Sequence, residues 1–567
     1  MTGSARVALP GPIREPSAGQ GGPRRATGGR RAPVGSEGRR ARVSAQRGTS
    51  RRLALAGMLF AVSMTFIDQT IVSIAAPSII GELGLSSAGM QWVVNAYLLS
   101  LAAFFALGGR LADVLGHRRL MLIGTVTFVV ASALCGAVPT GSAAQVWLIT
   151  FRAVQGLGAA LMFPAALAVV VEVFPVERRG AALAVFFGVA GGLTAIGPIL
   201  GGWLTAWTWR AIFWVNVPVA VIAIVLTLMA RIRNRPRPEP VDWPGAALVA
   251  VGMGLSVLGL QQASSWGWGS PATWLCVGGG LLVLALFVVV ELRGEDPLIT
   301  MRVFTDRAFS VDNAVLFFAM MSFVPVFFFA SVYAQVALSS SPQEAGLYLL
   351  VFFAGFAPGS QIGGRMLDRR GARRPMVLGT LLGAVGFALW AHKITDLSLN
   401  AQWPYIVLSG AGIGLLLTPA STDAVNRAIG ASYGEVTGIT QTIRNYSASV
   451  SLAVLGTVLL NATTTNIRRT LLRQGLSEQD ARGTATAIAR SVAGQGGSNG
   501  SGGSGRLGAA AMDAVRLDFA QANRPVFYGM AAALAVAFLC ALLHPGTRVT
   551  APSGESEVPE ESAVERG

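Results

Sequence analysis

Two side chains place charge where charge is expensive. Asp68 lies within the apolar stretch 53–79 and Arg152 within 146–173. A carboxylate among apolar atoms is disfavoured in its charged form, so it must meet water or a partner, and small changes around it decide whether it holds a proton. That is the chemistry of a proton carrier, and Asp68 is the first candidate for it. The alternative is a carboxylate near the outer interface accepting helix-terminal hydrogen bonds. A guanidinium keeps its proton, so Arg152 would tune a nearby acid or hold water. Glu172, further along the same stretch, reads as an interfacial anion. Asp312 and Asp423 lie near the ends of their apolar runs. Arg444 lies inside one and either lines a central cavity or reaches inward to the surface. With Trp92 and Tyr97 these form a possible cavity set, and Phe327, Phe328 and Phe329 could contact an apolar or cationic ligand.

Catalytic chemistry has little support. Walker-type phosphate loops, HExxH and nucleophile elbows are absent, and the Gly-rich run 494–505 lacks a preceding strand and a following helix start. Cys135, Cys276 and Cys540 all fall in apolar runs without a His or Cys partner at metal-ligand spacing. The expectation is a protein that is not an enzyme, with no metal and no cofactor.

The elements that must position these charges are membrane spans. Only 13% of the 567 residues are charged and 52% are apolar, where soluble domains run nearer a quarter charged. Apolar runs long enough to cross a bilayer fall at 53–79, 91–109, 120–138, 146–173, 181–204, 211–230, 242–262, 271–291, 309–332, 344–364, 375–392, 402–423, 437–460 and 525–544. With a cytoplasmic N-terminus, the short inner loops hold eighteen Arg and the short outer ones only Arg210 and Lys393. That asymmetry supports both the number of spans and the orientation.

The net charge of +16 invites a nucleic-acid reading until its location is known. Residues 1–52 hold twelve Arg against Glu15 and Glu37. Gly, Pro and Ser dominate the rest of this segment, which predicts a disordered cytoplasmic tail attracted to anionic lipid head groups. Nucleic acid is not an expected partner. The long outer segment 461–524 begins with helical spacing and a cap-like Ser477–Asp480, followed by a GQGGSNGSGGSG linker. A small helical cap and a plain surface loop are both open readings.

An internal repeat is visible at the inner side. GGRLADVLGHRR, residues 108–119, recurs as GGRMLDRRGARRP, residues 363–375. Gly109, Asp113 and Gly116 correspond to Gly364, Asp368 and Gly371. The glycines are expected to permit tight backbone and close helix approach, and Asp113 to pair with Arg118 or Arg119. Paired repeats in membrane transporters mark two halves that rock about a central site.

With these strings the chain resembles the major facilitator superfamily, and within it the fourteen-helix drug:proton antiporter branch. GRLADVLGHR resembles the superfamily's inner-loop signature, with His117 and Val114 replacing usual residues. FIDQTIVSIAAPSI (66–79) resembles the branch's first-helix motif, with Asp68, Thr70 and Pro77 in place. LITFRAVQGLGAA (148–160) resembles its fourth-helix motif through Arg152, Gln155 and Gly156. GVAGGLTAIGPILGGWL (188–204) resembles the antiporter motif, with Gly197, Pro198, Gly201 and Gly202. Around Arg444, Asn445 and Ser447 depart from the branch's usual pattern.

The resemblance implies an all-α membrane protein of the major facilitator fold: two six-helix halves, 53–230 and 309–545, with two added helices in 231–308, and a cytoplasmic C-terminal tail at 546–567. It implies an inner gate at Gly109, Asp113, Gly116, Arg118, Arg119, Gly364, Asp368 and Gly371. It also implies proton-driven export of amphipathic or cationic small molecules across the plasma membrane, with Asp68 and Arg152 as coupling candidates. The cargo and protons would be the partners, with the proton gradient as energy source. Export of a native metabolite, lipid or amino acid is an alternative, as is a transport-incompetent sensor or scaffold.

Overall fold

The computed structural model describes residues 35–174, 176–230, 232, 236, 240–294, 297–427, 433–474, 477–492 and 509–546. Most of the expected N-terminal tail, the 494–505 linker and the C-terminal tail from 547 lie outside them. The helices in chain order are α1 (Gly35–Leu83), α2 (Ser87–Leu115), α3 (His117–Gly136), α4 (Ala144–Val173), α5 (Val176–Trp207), α6 (Ala211–Trp214), α7 (Asn216–Met229), α8 (Trp243–Trp266) and α9 (Pro271–Arg293). They continue as α10 (Arg307–Val336), α11 (Pro342–Arg370), α12 (Arg373–Lys393), α13 (Leu399–Asn426), α14 (Tyr433–Arg473), α15 (Glu478–Val492) and α16 (Ala509–Leu542). Every one of the expected spans coincides with a helix, the sixth broken into α6 and α7. Among the described residues, thirteen helices are long and apolar enough to cross a membrane. The expected fifth span falls in α5, 32 residues long.

The first helix begins at Gly35, so 35–52 are helical where the sequence predicts a disordered tail. Propagating an existing helix adds a hydrogen bond per residue without a new nucleus, and Arg, Ala, Glu and Gln accept helical backbone readily. The turns up to Gly48 form a unit of their own, and Thr49 onward forms the main one.

Within the main unit the two halves repeat one packing scheme. α4 is flanked by α2 and α3, and α13 by α11 and α12. Backbone contacts at equivalent glycines enforce it. A Cβ on Gly108 would sit 2.1 Å from the Ala160 carbonyl oxygen, and one on Gly363 would sit 2.5 Å from that of Leu415. α2 and α11 then end at Gly116 (φ 87°) and Gly371 (φ 76°), in backbone territory that only glycine enters without strain. The repeat is therefore a repeat of geometry as well as of letters.

The inserted pair α8 and α9 does not sit alike. α8 packs against α2 and α14, where Asn95 donates to Gln261 at 2.8 Å and accepts from Ser449. α9 is the least buried of these thirteen, 17% against 78% for α10. Its outward Leu275 and Leu282 require lipid as their solvent. α14 is 41 residues long and overshoots its expected span by three turns. α15 folds back on it through Ile467, Leu471, Ala481 and Ala485. Ser477 accepts from the Asp480 amide at 3.2 Å, so the helical-cap reading of this segment describes it better than a plain loop.

Candidate functional site

Asp68 of α1, Arg152 of α4 and Gln155, one turn further along α4, form one closed polar cluster in the N-terminal half. Arg152 Nη1 donates to Asp68 Oδ2 at 2.6 Å, and Gln155 Nε2 donates to Asp68 Oδ1 at 2.9 Å. The same Nη1 reaches Gln155 Oε1 at 2.8 Å, and Nε donates to the Val93 carbonyl at 3.2 Å. Asp68 and Arg152 are each 1% exposed. The guanidinium carbon stands 4.4 Å from the Tyr97 ring centroid, so an aromatic face completes its surroundings. Asp68 thus meets a partner rather than open water. Tyr97, expected in a cavity, is fully buried under this pair. Trp92 is only partly buried and lines no part of the cavity described next.

A cavity lies between the two halves. Phe66, Gln69 and Thr194 line it from one half; Phe323, Phe356, Gln441, Arg444 and Asn445 line it from the other. Its lining is mostly apolar with a few polar groups, the character of small-molecule sites. Arg444 is the charged residue among these and is partly exposed to that space. Of its two sequence readings, cavity lining is the one the geometry shows. Phe327, Phe328 and Phe329 do not line it; Phe327 instead stacks on Phe353 with centroids 5.4 Å apart. Asp312 and Asp423 are also away from it, brought together at the expected inner end of the C-terminal half.

The antiporter-motif residues pack α5 against α1 within the first half and against α11 across the seam between the halves. A Cβ on Gly197 would meet Thr70 Oγ1 of α1 at 1.9 Å, and one on Gly201 would meet Ile71 at 3.1 Å. Gly202 faces the Pro342 carbonyl of α11, while Gly346 of α11 faces the Pro198 carbonyl in return. Gln335 of α10 donates to the Ile74 carbonyl of α1 at 2.9 Å. The expected outer ends are thereby packed shut, and α1 carries both Asp68 and the contacts that close them.

The Major Facilitator Superfamily pattern matches residues 58–452. The chain belongs to that superfamily. It is a multi-pass membrane protein of a transporter family. The tetracenomycin C resistance and export protein of Streptomyces glaucescens is 32% identical over 405 residues, covering 70% of this chain and 74% of that one. The puromycin resistance protein of Streptomyces alboniger is 34% identical over 413 residues, covering 72% and 81%. Among solved structures, a bacterial homologue of the human lysosomal transporter Spinster, inward-facing and unoccupied, matches with a TM-score of 0.58 at 18% identity, covering 89% of this chain and 99% of that one. That likeness concerns the fold.

The inner signature differs from its sequence reading in two respects. Asp113 pairs not with Arg118 or Arg119 but with His117, at 3.1 Å, across the Gly116 turn. His117 reaches Glu172 of α4 with its other nitrogen at 3.2 Å, so the residue that departs from the family pattern bridges two helices. Arg118 extends instead toward the Ile232 carbonyl at 3.4 Å. In addition, close approach falls to Gly108 and Gly363, since a Cβ on Gly109 or Gly364 would meet nothing nearer than 3.9 Å. Asp368 is exposed. Sequence reasoning missed His544 altogether; its one signal was a rare histidine at the very end of the last expected span, in a chain with three.

Proposed function

We propose that the chain is a proton-coupled exporter of amphipathic small molecules in the plasma membrane, with both termini cytoplasmic. The observation that carries the reading is the buried Asp68–Arg152–Gln155 cluster on the helix that also closes the outer end. A proton and Arg152 compete for the same carboxylate. Proton arrival frees Arg152 and Gln155, loosens α1 from α4, and so acts on the packing of Thr70, Ile71 and Ile74 at the outer closure. A ligand that favours one state over the other then couples to the proton through that shared equilibrium. The proton gradient supplies the energy, and the cargo, protons and lipid are the partners. Relatives named for resistance to or export of tetracenomycin C, puromycin and cephamycin support antibiotic-like cargo. In inverted vesicles, Asp68→Asn is expected to abolish efflux driven by the pH gradient while leaving the protein folded; full retention would sink the coupling reading.

The cavity narrows the cargo. Its aromatic walls suit a planar apolar body, and Arg444 suits an oxygen acceptor or an anionic group on it better than a cation. Arg444→Gln is expected to weaken efflux of acceptor-rich aromatic compounds by tenfold or more, on the order of 1.4 kcal/mol, and to spare or improve that of lipophilic cations. Equal loss for both classes in the same vesicles would show that Arg444 does not select cargo.

A further inference from the structure

Asp312, Asp423 and His544 come from three elements far apart in sequence. Asp312 lies in the second turn of α10, Asp423 near the end of α13, and His544 just past α16. One ligand-capable atom from each lies within 4.8 Å of the others. His544 Nε2 is 3.2 Å from Asp423 Oδ2 and 3.4 Å from Asp312 Oδ1. Arg427, one turn on from Asp423, pairs it at 2.6 Å. Asp312 is fully buried, yet neither of its carboxylate oxygens receives a hydrogen bond. A buried carboxylate in that condition is strongly disfavoured as an anion.

The histidine does not relieve it. The Gly546 amide donates to His544 Nδ1 at 3.1 Å, so Nδ1 is the accepting nitrogen and the ring proton sits on Nε2. Its Nε2–H then donates to Asp423 Oδ2 at 3.2 Å and leaves Asp312 without a donor. The same tautomer leaves Nε2 unavailable to a divalent cation. Arg373 of α12 donates to the Leu542 carbonyl at 3.0 Å and fixes the segment that carries the ring. The charged and titratable groups acting on Asp312 are Asp423 and Arg427 of α13, His544, and Asp306 at the start of its own helix. Among these described residues, the carboxylates outnumber the guanidinium. Two carboxylates placed together meet this condition by sharing a proton.

We propose that Asp312 and Asp423 bind one proton between them, forming a second proton site at the inner end of the C-terminal half, with the His544 Nε2–H as its fixed donor. Its place in transport rests on the export reading: a proton carried inward would leave the protein from such a site. Release leaves a second charge beside Arg427 and the His544 donor, and so alters how α10, α13 and the end of α16 hold together. Occupancy by a proton does not depend on that role and can be measured without transport.

The test is infrared difference spectroscopy of the full chain in proteoliposomes, read through a pH titration in H₂O and D₂O. The wild-type protein should show a protonated-carboxyl carbonyl band near neutral pH. Asp312→Asn should remove one such band per chain, and Asp68→Asn should leave it in place. His544→Gln, which retains an N–H donor, should keep the band at a shifted frequency. Absence of the band in the wild type, or its persistence in Asp312→Asn, overturns the proposal. A stoichiometric metal in the purified wild-type protein, with the band appearing only on chelation, overturns it in favour of a cation site. Should Asp312→Asn fail to fold, the wild-type titration and His544→Gln decide the matter. Failure of Asp68→Asn to affect efflux would remove the coupling reading and leave this readout unchanged.

Discussion

Arg152→Ala is expected to destabilise the protein by about 3–5 kcal/mol, because it leaves the Asp68 carboxylate buried and unpaired. Arg152 is the partner of one Asp68 oxygen and Gln155 of the other, and no solvent reaches either. Deletion also removes the guanidinium from the Tyr97 face and from the Val93 carbonyl. The double variant Asp68→Asn/Arg152→Ala should recover much of the loss, since the isosteric amide has no charge to strand. Thermal unfolding of the four proteins of the cycle in detergent measures the coupling directly. Additive effects would mean that the two side chains do not form the pair described.

The second large effect concerns two adjacent glycines with opposite expected signs. Gly108→Ala puts a Cβ against the Ala160 backbone, which belongs to a helix and cannot move by itself, so α2 and α4 must separate. A loss of about 1–3 kcal/mol is expected, as for other overpacked interiors. Gly109→Ala meets only Pro164 Cβ at 4.0 Å and should be neutral, or stabilising by up to about 1 kcal/mol through helix propensity. Gly363→Ala and Gly364→Ala should repeat the contrast in the second half, because Leu415 and Thr418 stand in the corresponding places. The check is the unfolding temperature of the four single variants. Loss of stability at Gly109 equal to that at Gly108 would contradict the packing. Lost efflux in a fully stable Gly109→Ala would place that residue's contact in another conformation of the transport cycle.

Much of this was legible because a bilayer imposes simple rules. Apolar runs of sufficient length located every span, since backbone in lipid must satisfy its own hydrogen bonds as helix. The distribution of Arg between short loops gave them an expected orientation. The 108–119 and 363–375 strings announced two halves. What composition could not convey was which glycine in each pair touches a neighbour, because that depends on the rotational phase of α2 against α4. The tail reading through residue 52 failed at 35–52 for a related reason: low apolar content says that a segment lacks a core, but an adjoining helix can still extend into it.

The candidate site divides in the same way. Asp68 and Arg152 stood out as charges within apolar runs, where each residue's own surroundings already made it costly. That they answer one another, with Gln155 as the third member, required α1 and α4 to be brought side by side. Arg444 could be read two ways until the cavity was seen, and Tyr97 and Asp312 were read toward a cavity that neither reaches. His544 gave almost no local signal, since its meaning lies in carboxylates more than a hundred residues away in sequence. Sequence by itself determined the number and duplication of the helices, because those follow from how each segment meets lipid and water. Only the tertiary structure decided which buried charges are partners, because pairing depends on distance and orientation between helices, and local composition carries neither.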